Sequence, residues 1–281
     1  MVTKRYNTQA DSPFLLICEH ASNFIPEEYD NLGLSKEDLQ KHIAWDIGAG
    51  EVTRYLSDFL KAPAILAEIS RLVIDVNRPL DHPTLIVREG EGKTVPGNQN
   101  LGKEEINRRI REIYAPFHNE IAEEIDRRLK KRQIPMTIDI HSFTSKFFNI
   151  KRPWHIGFLW AQDKRATAHI MSYFKNKGYC VGDNQPYDAR QVHGTTVNRH
   201  CDTQRLPNVL IEIRHDLIDT KDKAKKWAHM LSEALQELQD YPEVFTRYQG
   251  PRIQIDPKKA YRYFDKIIAE AKRTDINTSS A

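Results

Sequence analysis

Short apolar runs, most of them ending on a charged or imidazole side chain, do most to limit what this chain can fold into. Phe14 to Cys18 is unbroken apolar sequence that begins after Pro13 and stops at Glu19. A strand without polar alternation is covered on both faces, as in a parallel sheet. Ala64–Ile69, Leu72–Val76, Ile134–Ile140, His155–Trp160 and Asn208–Ile213 read the same way. Helical patterns separate them. Leu39, Ile43, Val52, Leu56 and Leu60 recur at helical spacing after Ser35, a candidate N-cap with Asp38 three residues on. Lys103 to Lys131 carries Ile106, Ile110, Ile113, Phe117, Ile121, Ile125 and Leu129 on one face, with a kink expected at Pro116. Ala166–Lys177, closed by Gly178, and Lys221–Leu238 are two more helices. The alternation predicts an α/β three-layer sandwich: a mixed, mostly parallel sheet flanked by helices.

The chain has 281 residues, 40% of them hydrophobic, which is enough for a sizeable core. No Ser/Gly-rich or Pro-rich linker divides it, so one domain over 1–281 is expected, with 1–11 and 273–281 flexible. The stretch from Asp81 to Asn100 is polar and Gly-rich and reads as a long functional or mobile loop. A net charge of +3, from 42 basic and 39 acidic residues, gives no reason to expect nucleic acid as a partner. No run of 18 apolar residues exists and Met1 to Asp11 is polar, so neither a membrane span nor a signal peptide is expected. Cys18, Cys180 and Cys201 show no CxxC spacing, which fits a cytoplasmic protein without disulfides. Cys18 ends an apolar run and reads as a small buried hydrophobe rather than a nucleophile.

Ligands in open α/β sheets bind at the carboxyl ends of the strands. Those ends carry Glu19-His20, Asn77-Arg78 with Asp75 just inside, His141 with Asp139 two residues earlier, and Glu212, Arg214 and His215. Two histidines and a carboxylate suit a zinc ion that keeps one position open. A further carboxylate serves as proton acceptor, and arginine pairs with the carboxylate of an amino-acid substrate. Simpler roles exist for the same residues. A lone histidine is more often structural than a ligand, Arg71, Asp75 and Arg78 would make an ion-pair cluster, and Glu212 could pair with Arg214.

Taken together, these segments resemble the N-formylglutamate amidohydrolase family. The matching pieces are Cys18-Glu19-His20-Ala21-Ser22-Asn23, Trp45-Asp46-Ile47-Gly48-Ala49, Arg71 through Arg78, Tyr114-Ala115-Pro116-Phe117-His118, Asp139-Ile140-His141-Ser142 and Ile211-Glu212-Ile213-Arg214. The chain looks like a divergent branch, similar in fold to zinc carboxypeptidases. The resemblance implies one zinc held by His20, His141 and Asp46, with Glu19 as the alternative third ligand. It implies Glu212 as general base, Asn77 and Arg78 on the substrate α-carboxylate, Arg71 and Arg214 on a second carboxylate, and His118 near the substrate. The expected activity is hydrolysis of the N-acyl amide of N-formyl-L-glutamate or a related small molecule. The alternatives are a carboxypeptidase-like or cell-wall amidase activity on a short peptide, and a metal-free binding protein.

Overall fold

The apolar runs pair into one seven-stranded sheet in the computed structural model, which describes residues 1–90, 92–147, 150–190 and 195–253. In chain order the strands are β1 (Thr3–Tyr6), β2 (Phe14–Cys18), β3 (Ala64–Ala67), β4 (Met136–Phe143), β5 (Ile156–Leu159), β6 (Val181–Asp183) and β7 (Asn208–Arg214). Across the sheet the order is β1-β3-β2-β4-β7-β5-β6. β3, β2, β4 and β7 run parallel, whereas β1 and β5 are antiparallel to their neighbours β3 and β7. The mixed, mostly parallel sheet agrees with the expectation. Among the described residues the α-helices are α1 (Ala49–Leu60), α2 (Lys103–Arg109), α3 (Ala115–Lys130), α4 (Arg165–Asn176), α5 (Thr195–His200) and α6 (Lys221–Glu237). None is long and apolar enough to cross a membrane.

Side chains alternate between the two faces of a strand, and here that alternation sorts core from chemistry. On one face, Phe14, Leu16 and Cys18 of β2 join Met136, Ile138 and Ile140 of β4 and Val209, Ile211 and Ile213 of β7. This core is closed by Val52 and Leu56 of α1, Ile170 and Phe174 of α4, and Trp227, Leu231 and Leu235 of α6. Each large side chain so buried contributes about 2 kcal/mol. Leu15 and Ile17 of β2 face the other way, against Phe117, Ile121 and Ile125 of α3. By the same alternation Asp139 and His141 of β4, and Asn208, Leu210 and Glu212 of β7, point to that second face.

Several expectations are corrected. Residues 1–11 were expected to be flexible, but Thr3–Tyr6 pairs with β3 and the Thr3 hydroxyl donates to Glu120 on α3. The flexible tail expected at 273–281 lies outside the described residues. The helix expected from Ser35 begins only at Ala49, where Gly48 with φ +82° turns the chain into α1. Ser35 instead stands ahead of a 3-10 turn over Asp38–Gln40, its hydroxyl accepting from the Asp38 amide. Where a kink is expected at Pro116, the helix carries a wide π turn over Ile110–Tyr114, which ends two residues before that proline. Proline removes a helical donor and crowds the preceding turn, which accounts for the widening.

Leu72–Val76 is not a strand. Its side chains are buried, but its backbone lies in turns whose carbonyls are taken up by side chains. Asn98 donates to the Leu72 carbonyl, buried Arg109 to Val73, His118 to Val76 and the Tyr114 hydroxyl to Arg78. Asn98 comes from the expected Asp81–Asn100 loop. Part of that loop forms a small hairpin of Glu89–Gly90 with Lys93–Thr94, and its end is tied down by Val95 and Asn98, both fully buried.

A Cβ at Gly48 would lie 2.2 Å from the Ile218 carbonyl oxygen, in a backbone conformation that side chains disfavour. Gly48→Ala is therefore expected to lower the free energy of unfolding by about 3 kcal/mol. Urea denaturation measures it; a loss below about 0.5 kcal/mol would contradict the packing described.

Candidate active site

A cavity of about 150 Å³ opens on the second face of the sheet, above β4 and β7. At one end of it, His20 follows β2, His141 lies in β4, and Asp46 sits on the turn before α1. The Asp46 turn is fixed against both strands: its amide donates to the His20 carbonyl, and Ser142 donates through its amide to Asp46 Oδ2 and through its hydroxyl to the Ile47 carbonyl. Asp46 Oδ2 lies 3.4 Å from His20 Nδ1 and 2.8 Å from His141 Nδ1. The two imidazole rings are 5.1 Å apart.

This donor set fits a zinc ion. Bonds of about 2.1 Å in a tetrahedral site put ligand atoms roughly 3.4 Å apart. His20 Nδ1 is buried without a hydrogen-bond partner, and the candidate ligand atoms of His20, Asp46 and His141 lie within 4.8 Å of one another. The far nitrogen of each ring meets carboxylates, the usual support for a metal-ligating histidine. His20 Nε2 is 2.8 Å from Asp75 Oδ1, while His141 Nε2 is 3.3 Å from Asp139 and 3.4 Å from Glu19. Glu19, the alternative third ligand, thus belongs to a second group of possible donors, with Asp139, on the far side of His141.

Burial alone would raise the Asp46 carboxyl, but His20 and His141 outweigh it and hold it below the usual carboxylate range. The same contest lowers Asp75, where Arg71, His20 and Arg78 overcome burial. Burial alone would raise Glu19, but the hydrogen bond and charge of His141, with hydrogen bonds from Asp139 and Thr196, together bring it down to about 2. Asp139 moves the opposite way, raised by burial and by the Glu19 charge. Glu212 is one strand over, paired in register with His141, and burial pushes it up to about 7.

Arg71, Asn77 and Arg78 all line the cavity. Arg71 bonds Asp75 Oδ2 at 2.6 Å and reaches Asp46 Oδ1 at 3.5 Å, so Asp75 bridges an arginine and the His20 ring. Asn77 accepts from the Thr196 amide on α5 and lies 3.4 Å from His141 Nε2. Arg214 and His118 are not among the lining residues. The Arg214 guanidinium is captured by both oxygens of Asp216, two residues along. His118 is buried beneath the site, bonded to the Val76 carbonyl and, through Nδ1, to His200 Nε2 at 2.9 Å. It supports the segment that carries Asn77 and Arg78 rather than touching the cavity.

The sequence reading missed Trp160, Tyr187, Asn198 and Asp202, which also line the cavity. Trp160 is the last residue of an expected strand, which was a usable signal. Tyr187 gave none. It is brought in by a turn that approaches β5 so closely that a Cβ at Gly157 would meet the Gln185 carbonyl oxygen at 1.9 Å.

A family model described as N-formylglutamate amidohydrolase matches residues 12–219. The crystal structure of a gene product from Agrobacterium tumefaciens is 34% identical, covers 86% of this chain and 96% of its own, and superposes with a TM-score of 0.83. An N-formylglutamate amidohydrolase from Ralstonia eutropha shares the fold, with a TM-score of 0.70 at 17% identity over 85% of this chain and 97% of its own. No curated protein matches the sequence.

His118 and His200 are both held neutral by burial, at about 3 and about 4. Both values lie below those of the unfolded chain, near 6.5. The stability they contribute is therefore complete above pH 6.5 and is lost as pH falls towards 4, because the unfolded chain takes up protons first. Each histidine adds a slope of at most about 1.4 kcal/mol per pH unit in that window. His200→Gln keeps a donor for His118 and is expected to flatten this loss in urea titrations between pH 6.5 and 4. An unchanged slope would mean that the pair does not titrate in the fold.

Proposed function

The chain belongs to the N-formylglutamate amidohydrolase family, and from that premise we propose that it is a zinc-dependent hydrolase of the N-formyl or N-acyl amide of N-formyl-L-glutamate or a related N-acyl amino acid. The supporting observation is the convergence of His20 Nδ1, His141 Nδ1 and Asp46 Oδ2 beside Glu212 at one end of a cavity sized for a small molecule. A zinc ion held by His20, Asp46 and His141 would polarise the amide carbonyl and acidify the attacking water.

The remaining steps fall to the chain's own side chains. Glu212, buried and raised to about 7, takes the proton of the attacking water and returns it to the leaving nitrogen. Asp75 and the Glu19–Asp139 pair fix the two imidazole rings from behind. Arg78 and Asn77 grip the substrate α-carboxylate, and Arg71 adds positive charge beside them. Binding energy gathered there, away from the reacting bond, positions the amide. The three free cysteines fit the cytoplasmic location we propose for the enzyme.

Metal analysis of the purified protein is expected to give one zinc per chain, lost in His20→Ala. Protein that carries no stoichiometric metal yet binds small N-acyl amino acids would favour a binding protein instead. Glu212→Gln is expected to keep zinc and lower kcat about 10³-fold. Activity near wild type in that variant rejects Glu212 as the base. Arg78→Ala should raise KM at least about tenfold with zinc content unchanged; a variant whose KM stays put removes the carboxylate clamp.

A further inference from the structure

The cavity continues well beyond the groups that the proposed reaction uses. Asn208, Leu210 and Glu212 share one face of β7, and all three line it. From Glu212 back to Asn208 is four residues, about 13 Å of strand. Leu210 is only partly buried, although it lies mid-strand between buried neighbours, because its side chain faces this space. β5 runs antiparallel to β7, with Leu159 opposite Leu210, so the chain leaving β5 reaches the same far end. Leu159 and Val197 add apolar wall.

At the end of this arm lies Asp202, 7% exposed, whose Oδ1 accepts from Asn208 Nδ2 at 3.0 Å. Among the described lining residues the cations are Arg71 and Arg78, and both belong with Asp75 at the opposite end. Among the described residues, the charge that perturbs Asp202 is that of another acid, Asp163. A buried carboxylate without a cation is costly. We infer that this apolar arm ending in Asp202 and Asn208 receives an amino-acid side chain with an aliphatic stem and a terminal ammonium or similar N–H donor, so that the preferred substrate is an N-acyl amino acid of the lysine class rather than an acidic one.

This inference rests on the hydrolase reading above and deepens it. Asp202 is raised to about 6 by burial and is ionised at pH 7.5, where an ammonium would offset its desolvation. A glutamate side chain in the same arm would set two carboxylates against each other. Apolar walls bind the methylenes of a lysine stem, and the pair at the end selects its head group.

The experiment compares Nα-formyl-lysine, Nα-formyl-norleucine and Nα-formyl-glutamate at pH 7.5 with the zinc-loaded wild type and with Asp202→Asn. The expected kcat/KM for formyl-lysine exceeds each of the others at least tenfold, on the order of one charge-assisted hydrogen bond. In Asp202→Asn, which keeps an acceptor for Asn208, the advantage over formyl-norleucine should fall to about twofold or less. Calorimetric binding of free lysine and norleucine should show the same ordering and the same loss. Hydrolysis of formyl-glutamate as fast as or faster than formyl-lysine, or an undiminished lysine preference in Asp202→Asn, overturns the inference and leaves the hydrolase reading intact. No hydrolysis of any of the three, with no selective binding of lysine, overturns both.

Discussion

Buried backbone carbonyls that find no partner in a helix or sheet must be paired by side chains, and residues 72–78 are where this chain meets that demand. Asn98, Arg109, His118 and Tyr114 each supply one donor to a carbonyl of this segment. Each such bond is worth only about 1 kcal/mol net, but leaving a buried carbonyl unmet costs about 1–3 kcal/mol. The segment is therefore held firmly without being regular, and its positions are set one by one. That is how Asp75 comes to stand behind the His20 ring while Asn77 and Arg78 face the cavity.

Charge completes what the backbone begins. Glu19, Asp46, Asp75, Asp139 and Glu212 are all buried within a few residues' reach of two histidines and two arginines. Arg71 and His20 stabilise Asp75, and both histidines stabilise Asp46. His20, Asp46 and His141 lie close enough together to hold a divalent cation, and buried charge is tolerated when it is paired or coordinated. Glu212 stands apart from the ion-paired acids, and burial leaves it able to exchange a proton near neutrality.

Much of this was legible in the sequence. Unbroken apolar runs marked the central strands, and the polar residues that interrupt or end them, His20, His141 and Glu212, meet at one end of the cavity. Other features were hidden for physical reasons. Leu72–Val76 has the composition of a strand, and only Asn98, Arg109 and His118, far along the chain, reveal that side chains take the place of a neighbouring strand. His118 and Arg214 fall within motifs but are claimed by closer partners, the Val76 carbonyl and Asp216. β1 is too polar to stand out, because as an edge strand it needs only its backbone bonds to β3. Asp202 looks like any surface acid until the fold closes over it.

The direction of β5 has a wider consequence. Had it run parallel to β7, its outgoing end would lie beside the histidines, and chemistry and selectivity would crowd onto one rim. Because it runs backwards, Leu159 and the residues after it arrive at the opposite end of the cavity from His20 and His141. The groups proposed to break the bond and those inferred to meet the substrate's tip are thereby carried by separate stretches of chain. On that reading, substitutions around the β5 exit and α5 would retune which molecule is accepted while the proposed hydrolytic residues stay as they are, a division of labour by which one scaffold diversifies among related compounds.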